Sequence, residues 1–147
     1  MIWWFFAGLL VGRFISDFER RRIVGCYGDI YMTRIILLRT RWFKLMLNYF
    51  HRSDEDRAQH DHPWPFWSFI LWRGYLEHTP EGVKRIRPCR LIYRPCWWIH
   101  RVELINGPAL TLVVTGRRVR EWGFHTDKGW VHWKTFGREH CEDGDKK

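Results

Sequence analysis

The chain has 147 residues, with 25 Lys and Arg against 16 Asp and Glu for a formal net charge of +9; 46% of residues are hydrophobic and 18% aromatic, including eleven Trp. That length suits one domain with a sizeable core, and that apolar content excludes intrinsic disorder for most of the chain. The basic residues are dispersed, with Arg20-Arg21-Arg22 the densest run, so a generally solvated basic surface competes evenly with a nucleic-acid footprint. The four cysteines, Cys26, Cys89, Cys96 and Cys141, form no C-x-x-C pair. This argues against a disulfide-rich secreted module and for a reducing, cytoplasmic setting. The interval between Cys89 and Cys96 is longer than the usual zinc knuckle.

In chain order, residues 1–12 form an apolar run too short to span a bilayer, which needs about 20 residues. It lacks the basic lead and the cleavage site of a signal peptide. It is expected either to pack across the barrel or a partner, or to lie at a membrane interface beside Arg20-Arg21-Arg22 as a peripheral anchor. Residues 14–23 read as weakly helical, broken by Gly25 and Gly28. From Tyr31 the pattern becomes β: strands are predicted over 31–40 and 43–50, the second with apolar residues alternating at Phe43, Leu45, Leu47 and Tyr49.

Beyond a charged loop at 51–58, Pro63 and Pro65 bend the chain before strands at 67–72 and 75–78. Thr79-Pro80-Glu81-Gly82 is a turn, 83–93 reads as half-buried strands and 97–104 as another, and Asn106-Gly107-Pro108 cues a hairpin. Residues 109–115 are the cleanest strand, and 119–125 with 130–133 form a last pair. About nine short strands with little helix after residue 30 predict an all-β, antiparallel sandwich or jelly-roll barrel in a single domain. The expected division is an apolar and basic N-terminal segment at 1–28, a barrel at 29–136 and a polar tail at 137–147.

Within this frame His60-Asp61-His62 stands out, because in an extended segment both imidazoles point one way and Asp61 the other. A pair of imidazoles is a metal half-site needing a partner, and His100, at the end of Pro95-Cys96-Trp97-Trp98-Ile99, supplies one. The alternative is three ordinary surface or hydrogen-bonded histidines. Three neutral imidazoles without a thiolate suit one divalent ion, Fe, Mn, Ni or Zn alike. Candidates for a fourth ligand, or for a hydrogen bond to a ligand, are Asp56, Gln59 and Glu103. Trp64, Phe66, Trp67 and Trp98 are candidates for an apolar substrate pocket or for core, and Arg73, Arg101 and Arg94 for binding a substrate anion or for surface ion pairs. No catalytic acid, base or nucleophile stands out.

These residues resemble the cupin family, whose first motif places Glu four or five residues after His-x-His and Gly six residues beyond it. Here His60, His62 and Gly74 fit, with Trp67 where Glu would stand. The second cupin motif, Pro-x-Gly-x-x-His-x-x-x-Asn, is matched by Pro95 and His100, with Trp97 for Gly and Leu104 for Asn. The stretch from Arg52 to Trp64, together with Glu121 to His125 and Gly129 to Val131, is similar to small cupin-like proteins of bacteria and their phages, a likeness that brings no substrate. The resemblance implies a cupin-type jelly-roll barrel with a divalent metal at His60, His62 and His100. It also implies metal-dependent chemistry on a small molecule, dioxygenase-like first and isomerase-like second, and a homodimer as the common assembly. The competing expectation is a non-catalytic module recognising nucleic acid or a protein partner through its basic, Trp-rich surface. Nucleic-acid binding is expected to be weak and non-specific at most.

Overall fold

Alternation of large apolar with small or polar side chains favours extended backbone, since a strand sends successive residues to opposite faces. The computed structural model describes residues 18–24, 28–54 and 58–137, and these form twelve strands. They are β1 Glu19–Val24, β2 Ile30–Arg39, β3 Lys44–Phe50, β4 Gln59–His60, β5 Phe66–Trp72 and β6 Tyr75–Thr79, then β7 Gly82–Ile86, β8 Leu91–Arg94, β9 Arg101–Leu104, β10 Ala109–Thr115, β11 Gly123–Thr126 and β12 Gly129–His132. A single helical turn at 133–137 follows.

A six-stranded sheet runs β1-β2-β3-β10-β5-β8, and two three-stranded sheets run β12-β11-β4 and β7-β6-β9, with every pair antiparallel. The two small sheets meet where His60 and His100 exchange backbone hydrogen bonds of 2.8 and 3.0 Å. This is the all-β jelly-roll arrangement that the strand spacing predicts.

Several elements depart from their expected form. Within the stretch 14–23 read as weakly helical, the residues from Glu19 on belong to an edge strand that runs to Val24: Ile23 and Val24 are β-branched, and the charged side chains of Glu19 to Arg22 keep an open sheet edge from pairing elsewhere. The apolar run at 1–12 lies outside the described residues. The stretch 83–93 is split by a turn at 87–90, where Cys89 adopts φ 59°. Only residues 101–104 of the expected strand at 97–104 are extended in a ladder, because the chain turns after Pro95.

The two layers meet in an apolar cluster of Ile70, Tyr75 and Val102, with Ile86, Ile92 and Leu104 packed around it. A second cluster of Ile36, Met46 and Val113 lines the large sheet, with Phe66 against it. The loop after β3 closes the free edge of β9: Val102 N–H donates to Asp54 Oδ2 at 2.6 Å and Leu104 N–H to Ser53 Oγ at 2.9 Å. Gly74 has φ 82°, and a Cβ there would collide with the Ile86 carbonyl, so this turn requires glycine.

Candidate metal centre

The turn through Pro63 and Pro65 leaves His60 and His62 on the inner side of β4 and its extension, while Asp61 points away. Asp61 is 1% exposed. It accepts from Gly123 N–H at 2.8 Å and Trp130 Nε1 at 3.1 Å, pairs with Arg120 at 2.9 Å and lies 3.3 Å from His125 Nε2. The carboxylate thus ties β4 to β11 and β12 on the side away from the two histidines. His100, just before β9, is brought opposite them by its backbone bridge to His60.

The ring centroids lie 5.1 Å apart for His60 and His62, 5.1 Å for His60 and His100, and 4.9 Å for His62 and His100. One ring nitrogen from each falls within 4.8 Å of the others, the one such cluster of three among the described residues. His62 Nε2 and His100 Nε2 stand 2.8 Å apart. Two nitrogens bonded at right angles to one ion at 2.0–2.1 Å would sit about 3 Å apart, so the separation fits a shared cation.

Glu77 completes the arrangement. It lies on β6 between buried Tyr75 and Thr79 and is 0% exposed. His100 Nδ1 donates to its Oε1 at 2.8 Å, Arg94 grips both oxygens, and Trp98 Nε1 donates at 3.2 Å. Burial alone would raise the Glu77 pKa, but the bonds from His100 and Arg94 outweigh it and hold the carboxyl at about 2. An ionised Glu77 places the His100 proton on Nδ1 and leaves Nε2 bare toward the cluster, the outer support typical of metal-binding histidines. Burial lowers His60 to about 4 despite the nearby Asp54, and burial with the neighbouring His60, His100 and Arg34 lowers His62 well below its usual value. Both rings are therefore neutral at pH 7, the form that binds metal.

An aromatic wall surrounds the cluster. Phe66 lies 4.7 Å from the His62 ring, and Phe124 and Trp122 lie 5.8 and 6.2 Å from His60. Phe66, not Trp67, takes the inward position where the resemblance puts a Glu; Trp67 is 48% exposed and packs on Tyr93 at 4.9 Å on the outer face.

The remaining candidates are more scattered. Trp98 serves the Glu77 network, and Trp64 lies under Lys44. Arg73 sits in the β5–β6 turn, stacked on Trp72 and bonded to the Asn106 carbonyl, and Arg101 lies by Glu103. Glu103 is engaged by His78 at 2.7 Å and stays outside the cluster, Gln59 alternates to the side opposite the histidines, and Asp56 lies outside the described residues. Glu77, Trp122 and Phe124 were not among the site residues expected from the sequence. The alternation Tyr75, Glu77, Thr79 carried a signal, since it puts a carboxylate on a buried face.

Two surface depressions, one lined by Arg41, Trp42 and Arg117 and another on the outer face of the large sheet by Thr33, Ile35, Leu47 and Tyr49, include none of the three histidines.

No protein-family model matches the chain, and no curated protein sequence matches it. Solved structures do. A cupin-2 domain from Rhodospirillum rubrum superposes with a TM-score of 0.62 at 13% identity, covering 76% of this chain and 78% of that one. A sugar phosphate isomerase of the cupin superfamily from Silicibacter pomeroyi gives 0.55 at 14%, covering 80% and 88%. The Fe(II) form of HppE gives 0.57 at 14%, covering 68% of this chain and 57% of its own. With all-antiparallel sheets and these structural neighbours, the chain has a cupin-type fold.

Proposed function

We propose that this chain is an enzyme using one divalent metal ion, held by His60, His62 and His100, to act on a small molecule. The observation that carries this reading is the convergence of three ring nitrogens, one of them set by the buried, ionised Glu77. Three protein donors leave positions open to water or substrate, as catalytic rather than structural sites do. A bound ion would supply Lewis acidity or a redox centre there. The protein contributes the rest. Glu77 holds the His100 tautomer, Phe66, Trp122 and Phe124 set apolar rings beside His62 and His60, and Asp61 ties β4 to β11.

Dioxygenase-like chemistry ranks ahead of isomerase-like chemistry. Isomerisation by proton transfer needs a free base, and Glu77 and Asp61 are both committed to ion pairs. Similarity to an Fe(II) structure and to a sugar phosphate isomerase supports both classes at the level of fold alone. Elemental analysis after expression with Fe, Mn, Ni and Zn supplied tests the reading. We expect about one ion per chain, sharply reduced by His60→Ala, His62→Ala or His100→Ala. A metal-free wild type under those conditions would contradict it.

A further inference from the structure

The inner face of β2, β3 and β10 is built in cross-strand rows. Met32, Phe50 and Ala109 form one, and Ile36, Met46 and Val113 another, both apolar. The row between them is Arg34, Asn48 and Thr111. Arg34 Nε donates to Asn48 Oδ1 at 2.9 Å, while among the described residues its Nη2 meets only the Met32 sulfur at 3.7 Å. Asn48 is 5% exposed and Thr111 1%, and Thr111 Oγ1 is buried without a hydrogen-bond partner among the described residues.

Among the described residues no carboxylate pairs with Arg34. The buried acids Glu77 and Asp61 are taken by Arg94 and Arg120. Burial pulls the Arg34 pKa down, yet a guanidinium stays charged at neutral pH. An inward cation with no counter-charge among the described residues, an amide with N–H donors to spare and a hydroxyl with no partner among them are costly in a core and complementary to an anion.

This row adjoins the Ile36, Met46 and Val113 cluster on which Phe66 packs, and Phe66 in turn contacts His62.

We propose that Arg34, Asn48 and Thr111 form a subsite for the carboxylate of a small organic acid whose reacting end lies at the three histidines. One guanidinium matches the single charge of a carboxylate and would leave a phosphate dianion half neutralised. The location of the reacting end rests on the metal reading above; the anion subsite does not.

The test is titration of the full chain with acetate, and separately with inorganic phosphate, at about 0.15 M salt to screen surface charge. Binding is followed by the NMR signals of the Arg34 Nε–H and the Asn48 side-chain amide, in zinc-loaded and metal-free protein. Acetate is expected to saturate both signals in both forms, with phosphate weaker. Arg34→Gln should raise the acetate midpoint at the Asn48 amide at least tenfold, and Thr111→Val severalfold, in zinc-loaded and metal-free protein alike. Thr111→Val should fold as well as wild type, because its hydroxyl has no partner to lose. If Arg34→Gln does not fold, Thr111→Val decides alone. Acetate midpoints unmoved in the variants, binding that follows the metal and ignores Arg34, tighter phosphate, or no saturable shift would each overturn the proposal.

Discussion

Two buried carboxylates in this molecule have the same kinds of partner and different consequences. Glu77 is held by an arginine, a tryptophan N–H and a histidine, namely Arg94, Trp98 and His100. Asp61 is held by Arg120, Trp130 and His125, with Gly123 N–H in addition. The difference is what lies beyond the histidine. His100 turns its free Nε2 toward His62, whereas His125 meets Asp61 through Nε2 and stands outside the cluster. A partner inventory therefore does not separate a site from a structural tie; the direction of the second ring nitrogen does.

Substitution sharpens that comparison most. Asp61→Ala strips a half-buried arginine and a buried backbone N–H of their acceptor, and is expected to cost about 3–5 kcal/mol in unfolding free energy. Metal per folded chain should stay near wild type. Glu77→Gln keeps the volume but removes the charge that fixes the His100 tautomer, so metal affinity should fall about 10–100-fold. Chemical denaturation beside metal titration reads both. If the Asp61 variant lost metal while the Glu77 variant kept it, the roles would be reversed.

The pH dependence of the metal-free protein comes next. His60 is lowered to about 4 in the fold, so between pH 6.5 and about 4 the unfolded chain binds a proton that the folded chain refuses. Stability is complete above pH 6.5 and falls as pH drops through that window, by about 3 kcal/mol at most from His60. His62 acts in the same direction. Glu77, lowered to about 2, adds a separate loss from about pH 4.5 downward. Bound metal should suppress the first phase and not abolish the second, which thermal melts with and without zinc would show. A metal-free melting temperature flat between pH 7 and 5 would count against buried, neutral histidines.

The smallest contrast is between neighbours on β5. Phe66→Ala opens the wall beside His62 and should cost about 3 kcal/mol. Trp67→Ala loses an exposed aromatic pair and should cost about 1 kcal/mol or less, with metal content unchanged. Equal losses would mean that the inward position has been misassigned.

Much of this was legible in the sequence where local pattern decides. Strands at 44–50 and 109–115 follow from alternation, and the shared face of His60 and His62 from their spacing. What alternation hides is which face is inside. Along β3 the apolar series Leu45, Leu47 and Tyr49 lies on the outer side, and the inner series is Met46, Asn48 and Phe50. The interior of this sheet accepts a polar row, so hydrophobicity misleads on the face while reporting the strand. Glu77 was missed for a related reason: its partners come from 17 to 23 residues away, a register that only strand pairing sets. Residues 19–24 form a strand because β2 offers an edge, which the charged run from Glu19 to Arg22 does not announce.

The most direct test of the central claim compares the two carboxylate-bound histidines by elemental analysis after metal-replete expression. The account predicts about one ion per chain in wild type and in His125→Ala, and a loss of most of it in His100→Ala, with both variants folded by circular dichroism. Metal retained in His100→Ala and lost in His125→Ala would contradict it.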